Sequence, residues 1–185
     1  MKLLKTTKGR LILVLLVAMV LGGVGTGAYV IRKQRVRAQF MAWRAEGMAA
    51  AGKDNVKAVD LLGRYLRRYP QDVDVLVEYV KIRPLVKEPN RQHLQDTMVV
   101  LRHLLTLRPE MQEQRLSLLR MYADYGYPAE AVVTADKLLE KTPKDPEILK
   151  IRASALARMR RLADALKAAQ AWVAVVPQDI DAQIL

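Results

Sequence analysis

GYPAEAVVTADKLLEKTP, residues 126–143, reads as the second half of a helical hairpin. Gly126 can end one helix, because a residue without a Cβ tolerates the left-handed conformation found at helix C-termini. Pro128-Ala129-Glu130 opens the next helix. Proline is tolerated in a first turn, where its missing N–H has no partner to lose, and an acidic side chain there suits the helix dipole. Ala131 stands 12 residues before Pro143, which closes the segment.

The same spacing returns along the chain. Pro109, Pro143 and Pro177 are evenly spaced, at an interval of about 34 residues that suits one helical hairpin per repeat. The interval from Pro70 to Pro109 is longer by five. In RRLADALKAAQAWVAVVP (160–177) Ala165 is again 12 residues before the proline, with Arg160 in the place of the glycine. In GKDNVKAVDLLGRYLRRYP (52–70) Ala58 holds that place, with one extra residue after Gly52. From Ala38 onward apolar residues recur at helical spacing and strand-type alternation is missing, so the region reads as all-α.

A 34-residue helix-turn-helix with a turn glycine, small residues between paired helices and a closing proline resembles the tetratricopeptide repeat (TPR) family, over residues 38–179. The resemblance implies an α-solenoid of about four units, 38–72, 73–111, 112–145 and 146–179, stacked into a superhelix with a concave face. It places Ala45, Ala58, Ala131, Ala153 and Ala165 where helices touch; Leu119 and Thr97 depart from the pattern. The second unit is irregular, because Pro84, Pro89 and five surplus residues interrupt it. Its first helix is expected to stop near Arg83 and its second to run from about Arg91 to Leu107. Residues 180–185 read as the start of a further helix, as in an array truncated there.

Ahead of the repeats, the run from Leu11 to Ile31 is uncharged. As a helix of about 21 residues it would reach about 31 Å, one hydrocarbon core. It is flanked by a basic head (1–10) and a basic juxtamembrane segment (32–37). Eight basic and no acidic residues fall in 1–37, against 23 basic and 19 acidic in 38–185, so most of the net charge of +12 surrounds this run. The expectation is a single-pass transmembrane helix acting as a signal anchor, in contact with membrane lipid through 11–31, with the array on the extracytoplasmic side. A cleaved signal peptide ending at Thr26-Gly27-Ala28 is the competing reading. Gly23 and Gly27 form one G-x-x-x-G pair that would let membrane helices approach. Gly23, Gly25 and Ala28 also fit a dinucleotide-binding turn, but the chain runs on into helical sequence without a βαβ unit.

Chemistry is sparse. Cysteine is absent, which removes thiolate metal sites and cysteine nucleophiles. His93 and His103 lie ten residues apart on one expected helix, about 80° apart around its axis and nearly three turns along it, so they cannot share an ion; both read as exposed helix histidines. Ser117 and Ser154 sit in no nucleophile motif. No metal, cofactor or catalytic residue is expected, and the chain is not read as an enzyme. Trp43, Tyr65, Tyr79, Tyr122 and Trp172 fall at core-facing helical positions, so no nucleic-acid partner is expected.

The resemblance further implies that the first helix of each unit lines a partner-binding concave face, here with Lys81, Glu113, Arg120, Asp124, Glu147, Lys150, Ser154 and Arg158. Family members that clamp C-terminal carboxylates use asparagines absent here. The implied function is a membrane-anchored scaffold that recruits other proteins, peptides or folded partners, to assembly, secretion or translocation machinery of the cell envelope. Its alternatives are a self-associating module that forms homo-oligomers, and an exported array.

Overall fold

The computed structural model describes Tyr29 and residues 32–179. Among these residues there are eight α-helices and no strand. α1 covers described residues 32–50. It is followed by α2 (Asn55–Leu66), α3 (Val73–Ile82), α4 (Gln92–Leu107), α5 (Gln112–Tyr125), α6 (Pro128–Leu139), α7 (Pro146–Arg158) and α8 (Leu162–Val175). Two single-turn 3₁₀ segments, Arg83–Leu85 and Pro89–Arg91, lie between α3 and α4.

Local chemistry sets the helix ends. Asp54, Asp72 and Asp145 precede α2, α3 and α7, and their carboxylates accept from the otherwise unpaired N–H groups of Lys57, Val75 and Glu147 with Ile148. Pro128 and Pro146 occupy the first position of α6 and α7. Gly126 closes α5 in the left-handed region (φ 87°), as does Gly52 after α1 (φ 78°).

Arg160 makes the same turn between α7 and α8 at φ 58°. A side chain there costs about 1 kcal/mol against glycine. Arg160→Gly is therefore expected to raise stability by about 0.5–1 kcal/mol and Tm by a few degrees, read by thermal denaturation. An unchanged or lower Tm would mean that the Arg160 side chain contributes more than its backbone costs.

Each helix packs on the next, and α5 also touches α7, so the array buries its core between layers of helices. Leu62, Leu101, Leu104, Leu119, Ile148, Leu156 and Trp172 are fully enclosed. Ala58, Ala131, Ala153 and Ala165 are all buried. Ala45 is not, and the expectation for that residue is corrected: it is exposed, and the close approach of α1 to α2 is made by Gly47. A Cβ at Gly47 would stand 2.6 Å from Leu62 Cδ2 and 3.3 Å from Leu61 Cβ, inside van der Waals contact.

The expected single-pass membrane placement, with the array on the extracytoplasmic side, is also corrected. Among the described residues no helix is long and apolar enough to cross a membrane. The physical reason is charge: α1 carries Arg32, Lys33, Arg35, Arg37, Arg44 and Glu46, while α2 to α8 run only 10 to 16 residues and are amphipathic. Residues 11–31, apart from Tyr29, lie outside the described residues, as do Gly23, Gly27 and 180–185.

Candidate functional site

Glu113, Ser117, Arg120 and Asp124 recur at steps of four, three and four along α5, which places them on one stripe of the helix. That stripe forms one wall of a cleft of about 330 Å³. Lys81 and Pro84, at and beyond the end of α3, form the opposite wall, and Leu94, Thr97 and Leu101 of α4 contribute the floor. Lys81, Glu113, Arg120 and Asp124 are thus brought together in what we call the inner cleft, on the side of the first helices α3, α5 and α7. Lys150, Ser154 and Arg158 lie along α7 and do not line it, and Glu147 reaches it only through Arg120.

The expected cationic grips are engaged by the array itself. Arg120 holds Glu147 through two parallel bonds, Nε at 2.5 Å and Nη2 at 2.7 Å, joining α5 to the first turn of α7. Arg158 Nη1 donates to the Ala123 carbonyl at 2.6 Å, a second tie between the same helices. Lys150 Nζ sits 5.1 Å from the centre of the Trp172 ring. Lys81 lies 3.6 Å from Glu78. Glu113 and Asp124 are exposed, and no described residue forms an ion pair with either. The side chains left for a partner in this cleft are therefore mainly carboxylates beside an apolar floor.

Two cleft components escape a charge-based reading of the sequence. Tyr125 and Met121 complete the wall, and the Arg91 guanidinium lies 5.9 Å from the Tyr125 ring centre. The only advance signal was their place on α5, one residue beyond Asp124 and Arg120 respectively.

The histidine reading is corrected in part. His93 is buried, and its Nδ1 accepts from the Glu88 amide at 3.1 Å. His103 is exposed and its Nε2 meets the Pro70 carbonyl at 2.8 Å, joining α4 to the turn before α3. Among the described residues no group of three or more histidine, aspartate or glutamate side chains could hold a metal ion.

At the junction of the first two helix pairs, Asp72 receives Arg44 Nε at 2.9 Å and the Tyr65 hydroxyl at 2.8 Å besides capping α3. Burial works to raise this carboxyl, but the bonds from Arg44, Tyr65 and the Val75 amide outweigh it and hold it below the usual aspartate range. The Arg120 guanidinium does the same for Glu147. Both groups titrate lower in the folded chain than in the unfolded chain. Their stabilisation is complete above the ordinary carboxylate range of about 4 and is lost as pH falls through their lowered values. Tm is expected to decline with acidification below about pH 4, and Asp72→Asn to flatten that decline while lowering Tm at pH 7. An Asp72→Asn protein with the wild-type slope would show that this junction does not drive the acid response.

The architecture is thus a solenoid of paired helices of the tetratricopeptide type, with an inner cleft between first helices. Solved structures agree. The chain superposes on MamA AMB-1 with a TM-score of 0.60 and 18% identity, covering 79% of this chain and 78% of that one. For MamA MSR-1 the TM-score is 0.58 at 16% identity, with 78% and 80% covered. MamA from Desulfovibrio magneticus RS-1, residue 41 to the end, gives 0.58 at 16%, with 78% and 79% covered. At these identities the likeness establishes the fold. No protein-family model and no curated protein matches the sequence.

Proposed function

We propose that the chain is a protein-binding scaffold that assembles with further copies of itself and carries out no chemistry of its own. The observation that supports this reading is a position repeated with the hairpin period of about 34 residues. Met98 on α4 is 5% exposed and Val132 on α6 is 8% exposed, each on a helix that packs against the next helix of the array. Leu166, one such period after Val132, is 59% exposed on α8, and Leu162 beside it is 72% exposed. The last described helix thus leaves exposed an apolar position whose counterparts on α4 and α6 are buried. A second copy is a fitting cover, because each hairpin of this fold is stabilised by a stacked neighbour.

Light scattering of the full chain tests this. Wild-type protein is expected to form a dimer or larger species, and Leu162→Lys with Leu166→Lys to be smaller at the same concentration with unchanged circular dichroism. A monomeric wild type, or an oligomer that the double substitution leaves intact, would overturn the reading.

A second reading, capture of a client in the inner cleft, is favoured by the free carboxylates of Glu113 and Asp124 above the apolar side chains of Leu94, Leu101 and Met121. It calls for a client with basic side chains, and Glu113→Lys with Asp124→Lys is expected to abolish its capture.

A further inference from the structure

A larger recess lies on the other side of α5. Arg115, Leu118 and Tyr122 fall on the face opposite Glu113, Arg120 and Asp124, at 100° per residue. With α4 and α6 they enclose an outer cleft of about 610 Å³. This is within the range of roughly 300–1,000 Å³ common to binding pockets.

The charge of this cleft departs from the rest of the repeat region, where basic and acidic residues nearly balance. Arg102, Arg115, Lys137 and Lys141 line it, against a single carboxylate, Glu140. Several cations elsewhere are matched: Lys57 with Glu46, Arg64 with Asp60, Arg152 with Asp136, Arg161 with Asp164. Lys137 and Lys141 have no ion pair among the described residues. Lys137 stands in the last turn of α6 and Lys141 two residues beyond its end, both exposed.

Two polar atoms in the cleft wall add an independent sign. Gln112 Oε1 and Arg115 Nε are both buried without a hydrogen-bond partner, one an acceptor and the other a donor. Arg115 Nη2 is already engaged with the Pro109 carbonyl. Between the cations the floor is apolar, made of Leu105, Leu118 and the ring of Tyr122.

We propose that the outer cleft binds an acidic polypeptide segment, its carboxylates on Lys137, Lys141 and Arg102 and an apolar side chain seated against the partly exposed Leu105. An acceptor and a donor in the wall suit a peptide backbone, which supplies both partners. A nucleic-acid strand would use the cations but leave the apolar floor unfilled, and the one aromatic ring there is buried and offers no stacking face. The site is separate from the inner cleft and from the exposed end of α8.

The test is fluorescence anisotropy with the full chain and three labelled probes: a short peptide of repeated Glu-Glu-Leu, its Gln-Gln-Leu counterpart, and an oligothymidylate of similar length. The Glu peptide is expected to bind at least about tenfold more tightly than either other probe, with an affinity that falls as salt rises. Lys137→Glu with Lys141→Glu, both exposed substitutions, is expected to weaken it by about tenfold or more. Glu113→Lys with Asp124→Lys, and Leu162→Lys with Leu166→Lys, are expected to leave it unchanged, which separates this site from the other two surfaces. Undiminished binding by the Lys137/Lys141 variant, equal binding of the Gln peptide, tighter binding of the oligonucleotide, or no binding of the Glu peptide would each overturn the proposal.

Discussion

Replacing Arg83 by Met is expected to cost about 3 kcal/mol, among the larger effects of any single substitution in this chain. Arg83 is 3% exposed, yet it is charged. Its Nη2 donates to Glu88 at 2.8 Å and to Asp96 at 2.9 Å, and its Nη1 donates to the Val86 carbonyl at 3.3 Å. One guanidinium thereby fastens the end of α3, the loop 86–91 and the first turns of α4. The loop needs such a tie, because Asn90 and Arg91 both adopt left-handed backbone (φ 55° and 58°) and Pro84 and Pro89 remove two backbone donors. Methionine keeps most of the volume and loses all three bonds. The cost stays at the lower end of the range for a broken buried pair, since Glu88 and Asp96 are partly exposed and water can reach them once the cation is gone. At about 2–4 °C per kcal/mol, Tm is expected to fall by roughly 6–12 °C. Arg83→Lys is expected to fall between the two, because a single ammonium cannot hold both carboxylates in the geometry of a planar fork. An Arg83→Met protein within about 0.5 kcal/mol of wild type, measured by urea denaturation, would mean that apolar packing and not the ion network holds the loop.

What could be read in advance follows from how local each signal is. Gly126 and Pro128 act on their own neighbours, so the end of α5 and the start of α6 were legible from residue type alone. The stripe Glu113, Ser117, Arg120, Asp124 was legible because helical period is a property of one segment. Which of those side chains remain available to a partner was not, since it depends on residues in other units. Arg120 is engaged by Glu147 27 residues away and Arg158 by the Ala123 carbonyl 35 residues away. Arg83 was missed for a related reason: at the edge of a proline-rich stretch it looks like any solvated arginine, and only the fold brings Glu88 and Asp96 onto it together. Gly47 carries no turn signal, and the neighbouring Ala45 imitated its role; two steps of about 100° around the helix separate these residues from a shared face. The outer cleft needs α4, α5 and α6 at once. Lys137 and Lys141 invite no comment in sequence until their lack of an ion pair in the fold is visible.

The second large effect belongs to Trp172, where Trp172→Ala is expected to remove about 3–5 kcal/mol, but from one end of the molecule rather than from the whole. Trp172 is 1% exposed and is the one large side chain that α8 buries; the other buried residues of that helix are Ala165, Ala168 and Ala169. The docking of α8 on α7 therefore rests heavily on this ring and on Lys150 lying over it. In a stack whose units contact only their neighbours, stability is a sum of local and nearest-neighbour contributions, and loss at an end frays that end first. The chain supplies its own reporter, because its other tryptophan, Trp43, is in α1 at the opposite end of the array. In the Trp172→Ala protein, fluorescence arises from Trp43 alone and is expected to follow urea with a midpoint close to that of a Trp172→Phe protein. Circular dichroism of the same sample is expected to show an earlier loss of helix, and hydrogen exchange to place that loss in 146–175. Should fluorescence and circular dichroism instead shift together by the full amount, the array would be one cooperative unit, and the ring would stabilise helices it never touches.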